Sequence, residues 1–178
     1  MFFLLFILSL AQAQMVVLQP QNRISTGLAW TDGSLGLATS FDSRLSQIIY
    51  VNVGGFRSLK KSEMTPIEDD PQSWVALRHG LWAAPGFRIP HRYKKNGINW
   101  DLILRGGFGS IFVDLFDQDD SAIMELAGLY GIDFLLRKKK MGIRSTAKIF
   151  SAHPYIYEFR EKIWMHRLHA TAEIFYQW

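Results

Sequence analysis

The final stretch of the chain alternates in polarity, and this pattern restricts the fold more than any other feature. Between Trp164 and Trp178 the even positions are mostly apolar and the odd positions are mostly polar. A β-strand places successive side chains on opposite faces, whereas a helix would distribute both sets around its circumference. The pattern therefore predicts one strand of about fifteen residues, which is longer than the five or six that are usual.

The same alternation recurs upstream in "INWDLILRGGFGSIF", "AIMELAGLYGIDFLLRKKK" and "MGIRSTAKIFS". Its phase changes near Asp114, which predicts a β-bulge there. The turn signal Asp32-Gly33 separates two further segments. Together the patterns predict eight strands and little or no helix, at residues 22–30, 34–41, 45–57, 73–84, 97–116, 122–137, 141–153 and 162–178. We expect an all-β fold, an antiparallel up-and-down meander of these strands.

Alternation alone does not tell whether the apolar face points inward or outward, but three other features favour an apolar exterior. The later strands are long enough to cross a bilayer, which takes about 9 to 11 residues. Aromatic residues concentrate near predicted strand ends, as in two interfacial girdles. These are Trp74, Trp82, Trp100, Tyr155, Tyr157, Trp164, Tyr176 and Trp178. The prediction is a closed, eight-stranded, antiparallel transmembrane β-barrel.

The polar face of the predicted strands carries charges of both signs. In a closed lumen these groups would pair with one another. The predicted interior charge network comprises Arg23, Arg78, Asp101, Arg105, Glu125, Asp133, Arg144, Lys148, Arg167 and Glu173.

The predicted connections differ between the two ends of the barrel. On the side of Trp178 they are "DSR", "RIPHRYKKNG" and "RKKK", which are mostly basic. On the other side lie "TDG", "SLKKSEMTPIEDDPQS", "DQDDS" and "EFREK", which are longer and more acidic. Short periplasmic turns and longer external loops are typical of outer-membrane barrels.

The first residues, "MFFLLFILSLAQAQ", have the size of a signal-peptide core followed by a small-x-small cleavage site. We therefore predict a signal peptide at residues 1–13 and a single β-barrel domain at residues 14–178. A buried N-terminal strand or helix is the alternative.

Composition excludes several classes of function. The chain has no Cys, so disulfides, thiolate metal sites and Cys nucleophiles are absent. The net charge is +4, but the basic residues are spread along the chain rather than gathered on one face, which argues against nucleic acid as a partner. The five His residues lack ligand spacing, and the Gly-rich segments lack the Lys of a phosphate loop. No metal site and no cofactor is predicted.

An export signal, the absence of Cys, eight amphipathic strands and the ending "HRLHATAEIFYQW" resemble the small outer-membrane β-barrels of Gram-negative bacteria, the OmpA/OmpX-like group. The resemblance implies a location in the bacterial outer membrane, with outer-membrane lipids and other envelope proteins as partners. It also implies that the last strand is the signal read by the barrel-assembly machinery. That signal would comprise Leu168, Ala170, Ala172, Ile174, Tyr176 and Trp178.

Eight strands enclose an interior that side chains fill, so no wide pore is expected. The sequence therefore favours a structural or interaction role in the cell envelope, with no catalytic residue assigned. One alternative is a lipid A acyl-modifying enzyme that uses His153 with Ser151, or His169 with Glu173. The latter pair lies four residues apart on one strand, about 13 Å, which is too far for a direct hydrogen bond. The other alternative is a soluble lipocalin-like carrier, which would need the apolar face inside.

Overall fold

The computed structural model describes residues 21–59, 67, 70, 73, 75–89, 94–95, 97–115, 122–156 and 161–178. The predicted signal peptide, residues 1–13, lies outside the described residues, as does most of the long connection after residue 59. The long strands are β1 (Asn22–Thr31), β2 (Ser34–Arg44), β3 (Ile49–Ser58), β4 (Val75–Arg88), β5 (Ile98–Leu115), β6 (Ala122–Lys138), β7 (Met141–Ala152) and β8 (Met165–Gln177).

These strands form one closed antiparallel sheet. Each strand pairs with its neighbour along the chain, β8 pairs with β1 from Arg23↔Gln177 to Thr31↔His169, and β4 pairs with β5. The prediction of a closed eight-stranded antiparallel barrel is confirmed. Closure matters because it leaves no strand edge with unpaired backbone groups.

Short paired segments extend two of the connections. Lys94–Lys95 pairs with the start of β5, and Tyr155–Ile156 pairs with Glu161–Lys162 between β7 and β8. Among the described residues no helix is long and apolar enough to cross a membrane.

Strand bounds differ from the predicted ones most clearly at β3 and β4. The predicted third strand begins at residue 45, but the amides of Leu45 and Ser46 both donate to the Ile49 carbonyl, which closes a turn before β3. The fourth continues past Pro85 to Arg88, although Pro lacks a donor for the ladder. Pro85 still faces Val51 of β3, whereas toward β5 the paired positions resume only at Gly86.

A β-bulge in β4 changes which side chains point inward. The register with β5 shifts between Leu77 and His79, so Arg78 is the extra residue. The predicted bulge at Asp114 is therefore wrong by one strand, since Asp114 keeps a regular register with β6 and the irregularity lies in the neighbouring strand β4. Beyond the bulge, Gly80, Trp82, Ala84 and Gly86 are the buried, inward positions.

Apolar side chains cover the outside of the barrel. Leu126 is 75% exposed and Phe108 is 70% exposed, and every long strand has exposed large apolar side chains. Their inward neighbours are buried polar, charged or apolar residues. The apolar face therefore lies outside, as the sequence predicts.

The predicted aromatic girdles require a correction. Trp82 is buried in the interior because the bulge at Arg78 reverses the parity of β4. Trp164, Tyr176 and Trp178 are exposed near strand ends, and so is Trp30, which was not in the predicted set. Trp74 and Tyr157 and the side chain of Tyr155 lie outside the described residues.

Gly27 is required where β1 and β8 close the barrel. A Cβ atom at this position would collide with the carbonyl oxygen of Ala172 and the Cα atom of Glu173. Both atoms belong to the backbone of β8, so only a movement of the strand would relieve the collision.

We expect Gly27→Ala to destabilise the barrel by about 1–3 kcal/mol, the usual cost of overpacking. The measurement is the free energy of unfolding in urea. Gly106→Ala is the matched control, because a Cβ atom there meets nothing within 4 Å. Equal stabilities of the two variants would contradict the close approach at the closing strand pair.

Candidate functional site: the charged barrel interior

Two arginines and two aspartates form the centre of the interior. Arg144 of β7 donates to Asp133 at 2.7 Å and to Asp42 at 3.1 Å. Arg105 of β5 donates to the same two carboxylates, at 2.7 Å to Asp133 and 2.5 Å to Asp42. Since Asp42 lies on β2 and Asp133 on β6, these four side chains connect opposite walls of the barrel.

Hydroxyl groups extend the cluster toward Glu173 of β8. Ser25 donates to one oxygen of the Glu173 carboxylate at 2.5 Å, and Thr171 donates to the other at 2.5 Å. Ser40 donates to Glu173 at 3.3 Å and accepts from Arg144 at 2.7 Å. The carboxylate of Glu173 therefore has hydrogen-bond donors on both oxygens while it is fully buried.

Arg23 lies on the side of the cluster that is nearer the C-terminus, and its guanidinium stacks over two aromatic rings. Its guanidinium carbon is 4.6 Å from the centre of the Tyr50 ring and 5.9 Å from that of Phe175. Cation–π contacts of this kind gain strength when the cation is removed from water.

The charges of this cluster balance. Arg23, Arg105 and Arg144 contribute three positive charges, and Asp42, Asp133 and Glu173 contribute three negative charges, so their sum is zero. Removing an ion from water costs several kcal/mol unless a partner and additional hydrogen bonds compensate it. Because each positive charge has a negative counterpart, six ionised groups can be buried together in a narrow lumen.

An aromatic layer lies next to the charged cluster. The buried ring of His169 packs 4.3 Å from that of Phe56 and 5.8 Å from those of Trp82 and Phe150, measured between ring centres. Its Nδ1 forms a 2.7 Å hydrogen bond with Thr31. Lys148 places its ammonium 4.2 Å above the Trp82 ring, and Trp82 donates to Asn52 at 2.6 Å.

Apolar side chains close the interior beyond this layer. A continuous buried cluster joins the aromatic rings to residues near the loop end, among them Val75, Leu77, Val113 and Met165. A smaller buried cluster of Tyr50, Ile103, Leu135 and Phe175 lies on the opposite side of the charges. Among the described residues, buried apolar side chains therefore occupy the interior on both sides of the charged cluster.

Comparison with known proteins adds evidence on the fold. Neither the protein-family models nor the curated proteins give a match to this sequence. Among solved structures, the N-terminal β-barrel domain of OprF from Pseudomonas aeruginosa superposes with a TM-score of 0.60 at 7% identity, over 90% of this chain and 100% of that one. The chain has the fold of a small outer-membrane β-barrel.

Two further structures give lower TM-scores. Ail, the attachment invasion locus protein of Yersinia pestis, has a TM-score of 0.46 at 13% identity, with 90% of this chain and 100% of that one covered. Neisserial surface protein A has a TM-score of 0.48 at 10% identity, with 89% and 94% covered.

The structure brings six of the ten predicted network residues into the layers described above. These are Arg23, Arg105, Asp133, Arg144, Lys148 and Glu173. Two others lie nearer the rims of the outer-membrane barrel fold, where Asp101 pairs with Arg88 and Arg167 pairs with Asp32 at 3.4 Å. Glu125 faces inward but is only half-buried.

Arg78 does not belong to the interior network. Its side chain is 44% exposed and pairs with Asp114 at 3.2 Å, because Arg78 is the extra residue of the β4 bulge. Sequence reasoning also missed Asp42 and Arg88. Both lie beyond the predicted ends of their strands, at residues 41 and 84, where the sequence predicts turns.

The residues of the predicted assembly signal share the outer face of β8. Leu168, Ile174, Tyr176 and Trp178 are exposed, and Ala170 and Ala172 occupy alternate positions between them.

The two candidate catalytic pairs lie on different faces. His169 is 0% exposed inside the barrel, and Thr171 lies between it and Glu173. Ser151 and His153 lie on the outward face, where the ring of His153 stacks on Trp164 with centres 4.7 Å apart. His166 lies directly opposite Ser151 in the ladder between β7 and β8. No group of three His, Asp or Glu residues in the described part of the chain is arranged to hold a metal ion.

We expect Arg144→Met to reduce the free energy of unfolding by about 3–5 kcal/mol, because it leaves Asp133 and Asp42 with one cation instead of two in a buried site. The measurement is urea unfolding in lipid vesicles, followed by Trp fluorescence.

Arg57→Met is the control, since the exposed side chain of Arg57 lies outside the ion cluster and a surface substitution should change the stability by at most about 0.5 kcal/mol. Similar losses for the two variants would contradict the assignment of Arg144 to a buried ion cluster.

Proposed function

We propose that this protein is an integral barrel of the bacterial outer membrane that acts through its surface, in a structural or interaction role, rather than by conducting solutes. The observation that carries the proposal is the distribution of side chains: apolar groups outside and paired charges inside. In water this arrangement would expose most of the apolar surface, whereas in a bilayer it places that surface against lipid.

The filled interior supports the exclusion of a wide pore. Among the described residues, buried apolar clusters lie on both sides of the charged layer and occupy space that a pore would need. The same distribution argues against a lipocalin-like carrier, because such a carrier needs an apolar cavity inside, where this barrel holds Arg105, Asp133 and Arg144.

The proposed partners are outer-membrane lipids, the barrel-assembly machinery and other envelope proteins. Support for the machinery comes from β8, whose outward side chains Leu168, Ile174, Tyr176 and Trp178 form an uninterrupted apolar and aromatic row. The location in the outer membrane rests on the fold that the chain shares with the OprF domain.

A lipid acyl-modifying enzyme is the second candidate function. It is favoured by the outward position of Ser151 directly opposite His166, since directly opposed residues of an antiparallel pair have Cβ atoms about 4.5–5.5 Å apart. A serine activated by a neighbouring His would then face the lipid. The buried His169 is not available for this chemistry, because it is enclosed by aromatic rings.

The test compares the two faces of one strand. Leu126→Cys and Glu125→Cys provide single sites for nitroxide labels, since the chain has no other Cys. In vesicles, we expect oxygen dissolved in lipid to relax the label at position 126 and a water-soluble nickel chelate to leave it unaffected. The label at position 125 should be shielded from lipid.

A buried label at position 126 together with a freely water-exposed label at position 125 would overturn the membrane barrel. The non-enzymatic role fails on a different result, a mass shift of lipid A on expression that Ser151→Ala or His166→Ala abolishes.

A further inference from the structure

An open apolar groove lies on the outer surface near the chain end. Its volume is about 890 Å³, and it crosses the outer faces of β5, β6, β7 and β8. The apolar part of its lining comprises Ile98, Leu136, Met141, Ile143, Ile174 and Tyr176. All six are exposed side chains that would face lipid if the barrel lies in a membrane.

Three consecutive lysines border this groove at one end. All three are exposed: Lys138 ends β6, and Lys139 and Lys140 form the tight connection between β6 and β7. The adjacent Arg137 is held differently, because its guanidinium donates to the Gln177 side chain at 2.6 Å. Three cations are therefore left at the boundary between the apolar surface and the end of the barrel.

The backbone conformation of this turn does not favour lysine at position 139. Lys139 has a φ of 57°, in the left-handed region that favours Gly and Asn. The tight turn between β1 and β2 uses Asp32 and Gly33 at φ values of 46° and 75°, which are the residue types such a turn prefers. A lysine held in this conformation at a charged groove edge is consistent with a binding role.

We propose that the groove binds an anionic glycerophospholipid. Its acyl chains lie along Ile143, Ile174 and Leu136, and its phosphate contacts Lys138, Lys139 and Lys140. The inference rests on the proposed membrane function and names the lipid class that one part of the surface selects.

The order of the groups along the groove argues for a phospholipid rather than a protein partner. An apolar surface several strands wide passes directly into a cluster of cations, with the exposed Tyr176 at the transition. A phospholipid has the same order, from acyl chain to phosphate. Basic residues near a membrane surface attract anionic headgroups, whereas a zwitterionic headgroup offers no net charge to them.

The experiment uses the full chain in detergent micelles supplemented with equal amounts of phosphatidylglycerol and phosphatidylcholine of the same acyl chains. Native mass spectrometry measures the ratio of the two lipids that the protein retains. We expect phosphatidylglycerol to be preferred, and we expect Lys139→Asn to reduce the ratio about fivefold, the effect of roughly 1 kcal/mol per basic residue. Soluble glycerol phosphate should not compete, because it lacks acyl chains.

Lys139→Asn is informative because Asn tolerates the left-handed conformation better than Lys does. Its urea midpoint should equal or exceed that of the unmodified protein, so reduced lipid preference would not reflect unfolding. Arg57→Gln is the matched control, since it removes one exposed cation at the opposite end of the barrel. It should leave the lipid ratio unchanged.

Equal retention of the two lipids would overturn the proposal, and so would an equal effect of Lys139→Asn and Arg57→Gln. A dimer that forms in place of the lipid complex would assign the groove to a second copy of the chain, and competition by glycerol phosphate would assign it to a soluble anion. The nitroxide label at position 126 distinguishes failure of this proposal from failure of the proposed function. If that label is exposed to lipid but the protein retains the two phospholipids equally, only the lipid-binding groove is refuted.

Discussion

The pairing of Arg105 and Arg144 with Asp42 and Asp133 is the interaction on which the rest of the barrel depends. Asp133 of β6 receives bonds from the two adjacent strands, β5 and β7. The bonds of both arginines to Asp42 of β2 connect strands that are not neighbours in the sheet. A barrel with an apolar exterior in lipid gains no core from that face. Contacts between side chains in the interior must therefore hold the walls of the barrel together. Ionised side chains stabilise such contacts only when each charge is paired.

The layers on either side of the charges follow from this requirement. Aromatic rings around His169 and Lys148 and the apolar cluster beyond them keep water away from the ion pairs, which strengthens electrostatic attraction. Ser25, Ser40 and Thr171 donate hydrogen bonds to the two oxygens of the Glu173 carboxylate. Under the proposed surface role, the outer surface and the connections are the parts that meet other molecules.

The alternation of polarity made most of the fold predictable, since an antiparallel barrel repeats one local rule in every strand. Long stretches such as residues 122–137 and 141–153 kept a single parity, and Asp133, Arg144 and Lys148 were assigned to the interior from that parity alone. The same rule failed for Arg78, because Arg78 is the extra residue of the bulge in β4. Trp82 has the inward parity beyond the bulge, and only its place near the predicted strand end at residue 84 suggests a girdle position. The alternation is weak in that segment, so the sequence contained little signal for the bulge.

Asp42 escaped prediction for another reason. It follows the aromatic Phe41 at the end of an apolar segment and precedes Ser43 and Arg44, which is the composition of a turn. Its role depends on Arg105 and Arg144, which are distant in sequence and reach it only when the barrel closes. Partners of this kind are a property of the tertiary structure, and local patterns do not encode them.

The most direct test of the account is a double-mutant cycle between Arg105 and Asp42 in lipid vesicles. Arg105→Met, Asp42→Asn and the double variant would be compared by their free energies of unfolding. A direct ion pair in a dry interior predicts a coupling energy of about 2–3 kcal/mol, near the upper end of measured couplings. Losses that add within about 0.5 kcal/mol, as for distant residues, would contradict the claim that this pair connects the walls of the barrel.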